Sequence, residues 1–142
     1  MLTTLRILLV ALGISAIAIC LSVMFAGPEA TAGVSERLYD ALSGWGGPSS
    51  GPWPPTMDSE LRFYAPFWGT YGLALIWVAR NLPQRLSMVP WLALLFFTGG
   101  VGRAISYASV GAPHPVFVSL MAIELLTPPI LVALWWATRR PA

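Results

Sequence analysis

Lysine is absent from this chain, cysteine and histidine occur once each, and charged residues make up only 10% of it. The basic residues are all arginines, which reflects genome bias more than chemistry. They are scattered singly, so the clustered basic face of a nucleic-acid binder is missing. With Cys20 alone, neither an intramolecular disulfide nor a cysteine-based metal cluster can form. Ile19 precedes it where a lipoprotein attachment site needs a small residue, so Cys20 is expected as a small buried apolar side chain. His114 lies between Pro113 and Pro115 with no second soft ligand at motif spacing. No metal site is expected there; the residue reads as an exposed turn histidine, with a proton shuttle or pH sensor as the rival reading. The chain also lacks a nucleophile with a base, a histidine pair on a helix and a glycine-rich phosphate loop after a strand. No cofactor and no enzyme activity is therefore expected. An intramembrane isomerase using Glu124 or Glu60 with a tyrosine is the minority alternative.

What the chain has instead is apolar length. Of 142 residues, 56% are hydrophobic, and seven tryptophans with four tyrosines suit anchoring at a membrane interface. These features predict an all-α integral membrane protein: one domain over 1–142, with four transmembrane helices in an antiparallel bundle at about 5–26, 57–80, 89–110 and 116–138. The uncharged run Ile7 to Phe25 has 19 residues, longer than the ~7–15 of a signal-peptide core, so it reads as a retained span. Were it cleaved at Ala30-Thr31-Ala32, three helices would remain. Ala11, Ser15, Ala18, Ser22 and Ala26 recur along it at helical spacing and predict a face for close helix approach.

The segment 27–56 reads as a long outer loop. Ser35 to Leu42 forms a short amphipathic pattern in which Ser35 could cap a helix and Leu38 and Leu42 would face the membrane surface. The Gly/Pro-rich stretch 44–55 predicts irregular structure, with Trp45 and Trp53 at headgroup level; it is either a mobile linker or a surface ordered by a partner. Thr56 or Asp58 would cap the second span, and Pro66 would bend its first turns. Glu60 and Arg62 read as interfacial anchors or a local ion pair.

Arg103 and Glu124 are the charges deepest in apolar segments, nearly equidistant from the turn 111–115. Antiparallel helices then bring them to one depth, where a lone charge costs at least ~2.5–3.5 kcal/mol. Two readings stay open. One is a buried ion pair that fixes two helices, with Ser106 and Tyr107 adding hydrogen bonds. The other is a polar pocket lined by Arg103, Glu124, Ser106, Tyr107, Glu60, Arg62, Tyr64 and His114, suited to an acidic lipid headgroup. The glycines of 99–102 allow either close helix approach or free space, and Pro128 frees the Glu124 carbonyl and interrupts the last helix.

Arg6, Arg80, Arg85, Arg139 and Arg140 lie on one side of this topology, which places both termini in the cytoplasm of a multi-pass protein of the bacterial inner membrane. The pieces 58–64, 99–106, 111–113, Glu124 and Pro128 resemble a family of small bacterial four-helix membrane proteins of unknown function. The chain also resembles the LucB-type accessory subunits of mycobacterial Mce lipid-import complexes, and an arginine-only, alanine- and tryptophan-rich composition suits an actinobacterial origin. That resemblance implies a helper bound to permease subunits, with no catalytic residues of its own. The expected function is an accessory subunit of a larger membrane complex, with other membrane subunits and bilayer lipids as partners and no nucleic acid. Its rival is a lipid-headgroup binder or small intramembrane enzyme centred on Arg103 and Glu124.

Overall fold

A computed structural model describes residues 1–139, which contain helices and, among the described residues, no strand. Arg140, counted above with the inner arginines, lies outside the described residues. Helix α1 (Leu2–Phe25) is followed by α2 (Pro28–Ser43), α3 (Pro55–Arg80), the short α4 (Leu82–Arg85), a 3-10 turn (Leu86–Met88), α5 (Val89–Val110) and α6 (Pro115–Arg139).

Three stretches are long and apolar enough to cross a membrane: Leu2–Phe25, Leu82–Val110 and Pro115–Arg139. The fourth expected span, α3, is long enough but falls short in apolar character. Its Asp58, Glu60 and Arg62 are followed by Tyr64, Pro66, Gly69, Thr70, Tyr71 and Gly72.

Two helix pairs build the fold. The broadest contacts are α1 on α3 and α5 on α6, whereas α1–α6 and α3–α5 are narrow. The first pair approaches backbone to backbone, since a Cβ on Gly72 would lie 2.7 Å from the Gly13 carbonyl oxygen. Gly69 likewise receives Cys20, whose Sγ would meet an added Cβ at 2.7 Å. Cys20 is thus half-buried in a helix contact.

The pairs join at the end that carries the chain's first residues. Leu5, Leu9, Leu75, Val78, Leu82, Val89, Leu92 and Leu131 form one buried core there. Further along, Tyr71 and Trp68 stack near Phe96, and the Tyr71 hydroxyl donates to the Leu92 carbonyl at 2.9 Å.

The opposite end is closed by α2, which touches α1, α3 and α6. Within the segment 27–56 expected as an outer loop, this helix covers 28–43, while 44–54 holds no helix or strand. It begins at Pro28, where a proline loses nothing because first-turn N–H groups have no helical partner. Ser35 therefore lies inside it and donates to the Thr31 carbonyl instead of capping. Helix α3 also starts earlier than expected, at Pro55 after Pro54, so neither Thr56 nor Asp58 caps it. Helix α6 runs unbroken through Pro128 and Pro129.

Candidate functional site

The α5–α6 pair is held close by Gly100, where an added Cβ would lie 2.9 Å from Leu125 and 3.0 Å from the Glu124 Cβ. Arg103 stands one turn further along α5, and this close approach brings it to Glu124: Nε donates to Oε2 at 2.8 Å. The two partners differ in environment, the Glu124 side chain being 7% exposed and that of Arg103 40%. Among the described residues, the two terminal guanidinium nitrogens of Arg103 make no hydrogen bond. The Phe117 ring lies 6.0 Å from the guanidinium carbon. Gly99 and Gly102 flank Arg103 on faces where an added Cβ meets nothing within 4 Å. The glycine run thus serves both purposes, close approach at Gly100 and open space at its neighbours.

The other proposed lining residues are dispersed. Ser106 and Tyr107 are exposed and make no hydrogen bond to the pair. Glu60 and Tyr64 are exposed on α3, Tyr64 against the Phe63 ring, with no contact to Arg103. Arg62 pairs with Asp58, Nε to Oδ1 at 2.7 Å, and donates to the Met24 carbonyl at 2.6 Å, clasping α3 to the end of α1.

His114 is not an exposed turn residue. It is 8% exposed because Trp45 and Tyr39 meet its ring edge-on, at centroid distances of 4.4 and 6.0 Å. The Val116 N–H donates to its Nδ1 at 3.3 Å, which leaves Nε2 facing Asp40 Oδ1 at 3.2 Å. That contact is close enough for an ion pair but off the line of a hydrogen bond, so both buried atoms lack a hydrogen-bond partner. The sequence signal for this burial was slight: it depends on Tyr39 and Trp45, far away in the chain.

A second feature went unread in the sequence. A cavity of about 670 Å³ opens between α2, the 49–53 segment and the start of α3, lined by Glu29, Glu36, Arg37, Asp40, Asp58 and Arg62 among others. Among the described residues, no group of three or more histidine, cysteine or acidic side chains has the geometry to hold a metal. On the helix row expected for close approach, Ala11, Ser15, Ala18 and Ala26 are exposed. Ser22 is bound to Thr31 of α2 at 2.7 Å.

With this architecture in place, residues 4–137 match a domain of unknown function, DUF4345. The chain belongs to the DUF4345 family. No curated protein and no solved structure matches it. Because the DUF4345 match spans both helix pairs and α2, the Arg103–Glu124 contact and the cavity beneath α2 lie within the family's domain.

Proposed function

We propose that this DUF4345 protein is a four-span accessory subunit of a larger membrane complex, and that α1 is its docking helix. One observation carries this reading. Helix α1 meets α3 through Leu5, Leu9, Gly13 and Ala16, while Ala11, Ser15 and Ala18 lie about 140° away around the helix and are uncovered. Without a hydrophobic driving force between helices in lipid, small residues are what let a second helix come close. Helix α3 serves as the fourth span, shielded along one face by α1 and α5. Arg6, Arg80, Arg85 and Arg139 then gather at the end with the termini, supporting a cytoplasmic placement of that end in a bacterial inner membrane. The partner class, permease subunits of an Mce-type lipid importer, comes from the resemblance to LucB-type subunits. Affinity purification at native expression in mild detergent, followed by mass spectrometry, tests the reading. Specific membrane subunits are expected with the wild-type chain, depleted by Ala18→Leu; recovery of the protein alone would refute it.

The open guanidinium of Arg103 favours a second reading, an anionic lipid headgroup held at the α5–α6 pair. Arginine paired through Nε alone keeps a two-pronged donor face free for phosphate. Copurified anionic phospholipid that is lost from Arg103→Gln, with partner recovery unchanged, would favour it over the first.

A further inference from the structure

The cavity beneath α2 is separate from the Arg103–Glu124 pair and from Ala11, Ser15 and Ala18 on α1, and reaches only the last member of that row, Ala26. Its volume, about 670 Å³, falls in the range of about 300–1,000 Å³ usual for small-molecule sites. Its walls carry both signs of charge, and its ionic groups are not all committed internally. Asp58 is taken up by Arg62. Glu36, buried at 2% exposure, accepts from the Ser50 hydroxyl and, at 3.1 Å, from the Ser50 N–H.

Arg37 and Glu29 are different. Among the described residues, Arg37 makes no hydrogen bond or ion pair, although Asp40 stands three residues away on the same helix. Its guanidinium instead folds back over Gly33, with Nη1 3.3 Å from where a Cβ would stand there. Gly33 thus provides the bed for this side chain, and Glu29 stands about one helical turn before Gly33 on the same helix, with Arg37 and Glu29 both lining the cavity. Glu29 accepts the backbone N–H of Trp53 at 3.3 Å, and both residues line the cavity. An uncommitted guanidinium and a carboxylate, with a tryptophan in the same cavity wall, form a two-point receptor for opposite charges. Guanidinium takes phosphate in a fork, and carboxylate with an aromatic face takes ammonium.

We propose that this cavity binds a zwitterionic phosphate–amine headgroup of the phosphoethanolamine class, phosphate on Arg37 and ammonium between Glu29 and Trp53. The two-carbon bridge of such a headgroup spans a distance comparable to one helical turn. The cavity lies at the α2 end of the bundle, where both a lipid headgroup and a soluble phosphate–amine could reach it.

Native mass spectrometry of the purified full chain in detergent tests the proposal. The probes are phosphatidylethanolamine, phosphatidylglycerol with the same acyl chains, and water-soluble glycerophosphoethanolamine. The amine lipid is expected to bind about tenfold more tightly than the glycerol lipid, the worth of one charge-assisted contact. Glu29→Gln keeps an acceptor for the Trp53 N–H and removes only charge, so it should abolish the preference. Arg37→Gln should weaken both lipids. Both side chains are exposed, so neither substitution disturbs the core, and unchanged helical circular dichroism checks this. If glycerophosphoethanolamine binds as tightly as the lipid, the site serves a soluble zwitterion; if only the lipid binds, it serves the membrane. Equal affinity of the wild type for the two lipids, a preference surviving Glu29→Gln, or failure of all three probes to bind overturns the proposal.

Discussion

Arg103 and Glu124 share one hydrogen bond but not one environment, and this asymmetry governs what each substitution does. Removing Arg103 leaves a carboxylate that is 7% exposed with no cation, whereas removing Glu124 leaves a guanidinium that is already 40% exposed. Breaking a buried pair from the side that strands the buried charge costs about 3 kcal/mol or more, and stranding a half-solvated one much less. Arg103→Leu is therefore expected to lower the thermal midpoint in detergent clearly more than Glu124→Leu, and the double variant Arg103→Leu/Glu124→Leu to recover most of the loss. Equal costs for the two single variants would mean that the pair does not bear on stability in this way. That these side chains meet was legible in the sequence, because their distance from the 111–115 turn fixes their depth on antiparallel helices. The burial of His114 was not. It depends on Tyr39 and Trp45, whose position follows from where α2 lies, and no local pattern around the Pro-His-Pro turn encodes that.

At the scale of helices, glycine plays opposite parts in the two pairs. Gly72 faces the Gly13 backbone, and a Cβ there would stand 2.7 Å from a carbonyl oxygen that cannot swing aside. Gly99 and Gly102 face open space. Gly72→Ala must push α1 and α3 apart and is expected to cost about 1–3 kcal/mol through overpacking. Gly99→Ala and Gly102→Ala should instead stabilise by about 0.5–1 kcal/mol, because alanine loses less backbone freedom in a helix. Thermal unfolding of the three single variants under one detergent condition checks the sign as well as the size. The sequence drew attention to the 99–102 glycines because they surround a charge. It was silent on Gly13, Gly69 and Gly72, whose role appears only when α1 and α3 are laid together, although the spacing of Gly69 and Gly72 already puts them on one helix face. The start of α2 at Pro28 has a local signal, a proline in the first turn with Glu29 behind it, whereas Ser35, which has the residue type of a cap, lies in the helix interior.

Across the whole molecule, the two helix pairs are fastened at both ends by different chemistry. At the end with the chain's first residues the fastening is the leucine-rich core, whose members come from α1, α3, α4, α5 and α6. At the other end it is α2, tied to the first pair by the Ser22–Thr31 hydrogen bond and to the second by the enclosure of His114 between Asp40, Tyr39 and Trp45. Between them the pairs touch narrowly, so the α2 end holds its spacing through few contacts, and these are polar or edge-on aromatic. His114→Ala removes the ring on which Trp45 and Tyr39 rest but leaves the apolar core intact. The global midpoint should therefore fall modestly, by the equivalent of about 1–3 kcal/mol for lost buried contacts. The spacing of the pairs at the α2 end should loosen far more. Spin labels placed at the exposed positions Phe63 on α3 and Ile105 on α5 would report it: the distance distribution should broaden in His114→Ala and keep its wild-type width in the core-neutral control Gly102→Ala. An unbroadened distribution in His114→Ala would show that α2 rests on the turn without holding it, and that the leucine core alone sets the arrangement of the two pairs.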